Sequence, residues 1–223
     1  MKWRYTSLMA VGLALLWAVP ALPQPFNVRA GIAGGLARLL ESEKIQKELG
    51  LTPDQVAKGK ELNQHFRERL KQEKKKVQDL KQEDRAEAYQ AALKKLAEET
   101  NKAVAEILKP AQLKRLKEIE LQVRGSLAFN DPEIEKKLQL TDDQKDQIRT
   151  ILKDARKDFQ DLIKNPGPKI DEAVKKATVL NNETLQRIRG LLTAEQRKTW
   201  ADLTGKRFEL DLIEKISLLQ GAG

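Results

Sequence analysis

Three stretches of the chain spell the same phrase: Leu51-Thr52-Pro53-Asp54-Gln55, Leu140-Thr141-Asp142-Asp143-Gln144 and Leu192-Thr193-Ala194-Glu195-Gln196. Threonine followed three places on by glutamine is a capping box. The threonine hydroxyl accepts from the glutamine backbone N–H, and the glutamine side chain reaches back to the threonine N–H. Each copy therefore marks a helix start. Pro53 falls on the first helical position, where a missing N–H costs nothing. Leu51 is placed to staple onto Val56, whereas Lys145 and Arg197 hold that position in the other copies, so Leu140 and Leu192 are expected to pack elsewhere. A fourth site, Leu108-Lys109-Pro110-Ala111-Gln112, lacks the threonine, keeps Pro110 and a Leu108–Leu113 staple, and reads as a degenerate copy. The motif is architectural: it starts helices and carries no reaction.

The apolar residues between the motifs agree with helices. Leu62, Phe66, Leu70, Val77 and Leu80 keep to one helical face, as do Tyr89, Leu93, Leu96, Thr100, Val104 and Ile107. With Asp84 as an N-cap, this predicts antiparallel helices over 53–81 and 85–108. Ile148, Ile151, Ala155, Phe159 and Leu162 repeat the pattern. After the turn-forming Lys164-Asn165-Pro166-Gly167-Pro168-Lys169, Ile170, Val174, Ala177, Leu180, Thr184, Ile188 and Leu191 return it. Sliding Thr52 onto Thr141 lays Ile45 on Ile134, Lys47 on Lys136 and Leu49 on Leu138, so the two halves are copies. The expected fold is all-α: two tandem long helical hairpins with short flanking helices, in units 22–127 and 128–223.

Composition supports this and narrows function. Charged residues make up 34% and aromatics 4%, a balance suited to long amphipathic helices. The N-terminus, with Lys2 and Arg4, an apolar run from Leu8 to Val19 and small residues around Ala21, has the three parts of a cleavable signal peptide over 1–21. Its apolar run is shorter than the roughly 20 residues a spanning helix needs. Export to a periplasmic or similar compartment is expected, with no stable membrane insertion after cleavage. With no cysteine in the chain, stability must come from packing. The formal charge of +9 suits acidic polymers, anionic surfaces or unfolded chains, and export argues against nucleic acid.

Little catalytic chemistry is present. His65 is the sole histidine, without cysteine or a second histidine to join it as a transition-metal ligand. Carboxylates fall among lysines at helical spacing, as on a solvated, ion-paired face. Gly31-Ile32-Ala33-Gly34-Gly35 lacks the strand and Gly-Lys-Ser of a phosphate loop and reads as a flexible leader. The run Lys71-Gln72-Glu73-Lys74-Lys75-Lys76 is either a solvated face or a docking patch for acidic segments. Trp200 and Phe208 are expected to pack the last helix, and Leu210 to Leu219 forms an amphipathic tail. No enzyme, catalytic residue, cofactor or metal site is expected.

Repeated LTxxQ segments bracketing a helical hairpin behind a signal peptide resemble the Spy/CpxP family of periplasmic proteins, over most of residues 42–205. The resemblance implies an ATP-independent chaperone or envelope-stress protein, whose hairpins form a curved cradle holding unfolded or partly folded proteins on a basic face. The family usually has one motif pair per chain; here there are two, which implies a homodimer or a monomeric pseudo-dimer. Phe66, Arg67, Arg69, Leu70 and Lys71 are then the candidate client-binding residues. An adaptor or structural protein with one specific partner, or a metal-responsive sensor, is the alternative.

The capping reading has a direct check. Thr52→Ala and Thr141→Ala should each lower stability by about 0.5–2 kcal/mol, the usual loss for an N-cap. Unchanged melting temperatures in both variants would contradict it.

Overall fold

The computed structural model describes residues 35–164 and 170–210, and all of their regular secondary structure is helical. These residues divide into two compact units, one up to Glu120 and one from Leu121. The signal peptide expected over 1–21, the turn expected over 164–169, apart from Lys164, and the amphipathic tail expected over Leu210 to Leu219, apart from its first residue, lie outside the described residues.

The first unit holds α1 (Gly35–Leu39), α2 (Glu43–Leu49), α3 (Pro53–Gln78), α4 (Gln82–Ile107) and most of α5 (Pro110–Arg124). Thr52 and Gln55 close the expected box at the start of α3. Helices α3 and α4 pack along each other through buried Phe66, Leu93 and Leu96, with Leu70, Tyr89 and Ala97 at the margin. Gln55 lies against Ile107 and Arg69 against Glu99, so the two run antiparallel. The turn differs from expectation. Helix α4 begins at Gln82 with Lys81 as its N-cap, and Asp84 sits inside the first turn beside Glu83, where the helix dipole favours both carboxylates. Arg85 supplies the closure instead. Its guanidinium donates to the carbonyls of Leu80 and Gln78, each at 2.9 Å, and so caps the end of α3. Residue 35, expected in a flexible leader, opens α1, whose Leu36, Ala37 and Leu39 are buried.

The second unit continues with a 3-10 helix (Gly125–Asn130), α6 (Pro132–Lys137), α7 (Asp142–Lys164), α8 (Ile170–Leu191) and α9 (Ala194–Thr204). Its core is larger. Leu121, Ala128, Phe129, Ile134, Leu138, Leu140, Ile148, Ile151, Ile188, Leu192 and Trp200 form one buried cluster, with the Phe129 and Trp200 rings 4.4 Å apart. Leu140 and Leu192 thus point into the core, as their unstapled positions predicted. Leu121 belongs to this cluster, which places the unit boundary inside α5 rather than at 127/128. Gln122 stitches on the chain after α9, donating to the carbonyls of Thr204 and Lys206 and accepting from the Phe208 N–H at 2.7 Å.

The repeat extends to backbone conformation. Helix α2 ends on Gly50 at φ 57°, and in the aligned position α6 is followed by Gln139 at φ 51°. Both make the paired 5→2 and 6→1 bonds of a left-handed helix stop, Gly50 and Leu51 onto Lys47 and Gln46, Gln139 and Leu140 onto Lys136 and Glu135. Only glycine adopts this conformation freely, and a Cβ at Gly50 would meet no atom within 4 Å. The cost of a side chain is therefore almost purely conformational. Gly50→Ala should destabilise by about 1 kcal/mol, and Gln139→Gly should stabilise by a similar amount, as read from urea midpoints. Equal midpoints for wild type and both variants would show that neither stop is under conformational strain.

Candidate functional site

The glutamines of the repeated motif do more than cap. Gln55 uses its Oε1 to accept from the Thr52 N–H at 3.1 Å, the expected box. Its Nε2 then crosses to the end of the neighbouring helix α4, donating to the Ile107 carbonyl at 2.9 Å and to Gln112 Oε1 at 2.8 Å. Gln112 replies: its Nε2 donates to Gln55 Oε1 at 3.3 Å and to the carbonyls of Leu49 and Gly50 at 3.1 and 3.3 Å. Its Oε1 also accepts from the Lys109 N–H at 2.9 Å. Two carboxamides thus face each other and join four helix ends: the stops of α2 and α4 and the starts of α3 and α5. Those ends carry orphan N–H and C=O groups that need partners.

The second unit repeats the arrangement. Gln144 Nε2 donates to the Leu191 carbonyl at 2.9 Å and to Gln196 Oε1 at 2.8 Å. Gln196 Nε2 donates to Gln144 Oε1 at 2.9 Å and to the Gln139 carbonyl at 3.4 Å. Thr141 and Thr193 complete both capping boxes. The copy read as degenerate, at Leu108, retains the half of the box that glutamine supplies. Capping logic missed this cross-link. One signal pointed to it: where the threonine was lost, Gln112 was kept. In the first unit Arg115 adds a further tie, pairing with Glu48 at 2.7 Å and Glu118 at 2.9 Å.

The expected client-binding residues do not share one exposed surface. Phe66 is buried against Leu93 and Leu96, and Leu70 packs at the margin of that cluster, because both lie on the stripe that α3 turns toward α4. Arg67 holds Glu41 with two bonds of 2.8 and 2.9 Å, and Arg69 reaches Glu99 at 3.4 Å. Lys71 is exposed, as are Lys74 and Lys75. Lys76 pairs with Glu73 at 2.7 Å, and that hydrogen bond holds the Glu73 carboxyl below its ordinary range. Beyond Phe66 the helix pair thins: from Arg67 to Ala92 no side chain is buried. Val77, Ala86 and Tyr89 are half-buried and Leu80 is 40% exposed, so this distal stretch offers a broken apolar strip edged by lysines. Partial burial raises the Tyr89 phenol above its ordinary pKa. His65 is exposed on α3.

Among the described residues no group of His, Asp or Glu is placed to hold a metal ion, and no helix is long and apolar enough to cross a membrane. Comparison of the chain with models of protein families, with curated proteins and with solved structures finds no match.

Proposed function

We propose that the protein is an exported, ATP-independent chaperone of Spy/CpxP type that holds unfolded or partly folded proteins without catalysing a reaction. The observation that carries this reading is the contrast within the α3/α4 pair. Its base is locked by the Gln55–Gln112 carboxamides, while its distal half leaves Val77, Leu80 and Tyr89 partly uncovered among Lys71, Lys74, Lys75 and Lys81. Scattered apolar groups hold a client without demanding one sequence. Lysines beside them speed encounter with acidic chains through long-range attraction. A contiguous exposed apolar patch would instead favour a partner-specific adaptor. Among the described residues the large exposed apolar side chains are Leu80 and Val179, one in each unit.

The client surface in this reading is the distal strip, shifted outward from the Phe66 region that the resemblance implied. Aggregation suppression should be measured on several unrelated clients. Lys71→Glu/Lys74→Glu/Lys75→Glu should slow capture of acidic clients several-fold with helicity unchanged, and salt should weaken capture by the wild type. Leu80→Ser combined with Val77→Ser should loosen holding of all clients alike. Suppression that is indifferent to salt and to both sets of substitutions would remove the basis for the proposal. Stoichiometric capture of a single client would favour an adaptor.

A further inference from the structure

Helix α1 lies on both helices of the α3/α4 pair, with Leu36, Ala37, Leu39 and Leu40 buried. Leu40 rests on Gly59, where an added Cβ would stand 3.3 Å from the Leu40 Cβ. Two turns further along α3, Arg67 grips the Glu41 carboxylate with two bonds. Asn63 lies between these points on the same stripe. It is fully buried, and neither atom of its amide has a hydrogen-bond partner among the described residues. A buried, unpartnered amide opposes closure of whatever covers it.

The second unit shows what a firmly held version looks like. At the aligned positions the 3-10 helix inserts Ala128 and Phe129, and its floor is Ile148 and Leu152 in place of Gly59 and Asn63. That floor is apolar throughout, and the inserted segment is continuous with α5 on one side and α6 on the other. The first groove has instead a glycine gap, a stranded amide and an exposed ion pair at its rim.

We infer that α1 is a displaceable strap occupying a peptide groove, and that the groove accepts unfolded segments in which adjacent leucines are followed by a carboxylate. Leu39-Leu40-Glu41 is the internal example: two leucines fill the floor over Gly59 and Asn63, and Arg67 reads the acid. Opening the strap hydrates Asn63, which offsets part of the apolar area exposed. The inference rests on the chaperone reading for the source of the incoming segment, and on the α1 contacts for the groove itself.

The chain has no cysteine, so Leu40→Cys/Gly59→Cys creates one defined cross-link, at a Cβ separation close to the roughly 3.5–4.5 Å of natural disulfides. The probe is a fluorescent peptide of the sequence Gly35–Ser42. The reduced variant should bind it at least about ten-fold more tightly than the oxidised one, a difference of about 1.4 kcal/mol, with equal helicity in both states. Adding Arg67→Glu should abolish the gain. Glu41→Arg, which loosens the strap by repelling Arg67 without touching the core, should raise peptide binding several-fold over wild type. Equal binding in oxidised and reduced protein, or no gain with Glu41→Arg, overturns the strap. Gated peptide binding with aggregation suppression untouched by oxidation overturns the assignment to clients. Gated binding in a protein that suppresses no aggregation supports the groove and counts against the chaperone reading alone.

Discussion

A primary carboxamide offers two donors and two acceptor sites, and in each unit two of them are turned face to face so that nearly all are used. That exchange is what the helix ends depend on. Gln55 and Gln112 each spend one side of the amide on their own helix start and the other on a carbonyl at the end of a different helix. Glutamate has no donor for the carbonyls of Ile107 or Gly50, and asparagine is one methylene too short to close the box and reach across. The residue type follows from the number and reach of bonds required. Because the pair exchanges bonds in both directions, it also sets the register of α3 against α4 and of α7 against α8.

Packing then differs along the α3/α4 pair. Near the first carboxamide pair the helices are backed by Leu49, Ile45, Val104 and Leu108, all buried. Farther out burial fades and the turn is held by Arg85 on the carbonyls of α3. In the second unit the Phe129 and Trp200 rings lie tilted against each other in one continuous core. A firm base with a lightly packed arm keeps the helices in register while leaving apolar side chains near solvent, which is the property the proposed function needs.

Much of this was legible in the sequence, for physical reasons. Capping boxes and apolar spacing are local rules, so helix starts at 53, 142 and 194, the internal copy, the absence of a staple at Leu140 and Leu192 and the packing of Trp200 could be read directly. What escaped needed partners distant in sequence. Phe66 sits on the face that meets α4, and no local pattern tells a core stripe from an exposed one when both alternate with charge. Asp84 looks like an N-cap until Arg85 is seen to hold the turn. The run Leu36-Ala37-Arg38-Leu39-Leu40, whose four apolar residues are buried, is too short for periodicity to register, although four apolar residues in five beside a glycine-rich stretch hinted at more than a leader. The carboxamide pairing was hidden because each glutamine had a sufficient local explanation.

A double-mutant cycle on Gln55 and Gln112 tests the central claim most directly. Urea unfolding of wild type, Gln55→Ala, Gln112→Ala and the double variant gives the energy that belongs to the pair alone. Facing amides that exchange two bonds should couple by about 0.5–3 kcal/mol, with the double variant less destabilised than the sum of the singles. Additivity within about 0.3–0.5 kcal/mol would mean that the two glutamines act only as separate caps, and that the pairing does not hold the helix ends together.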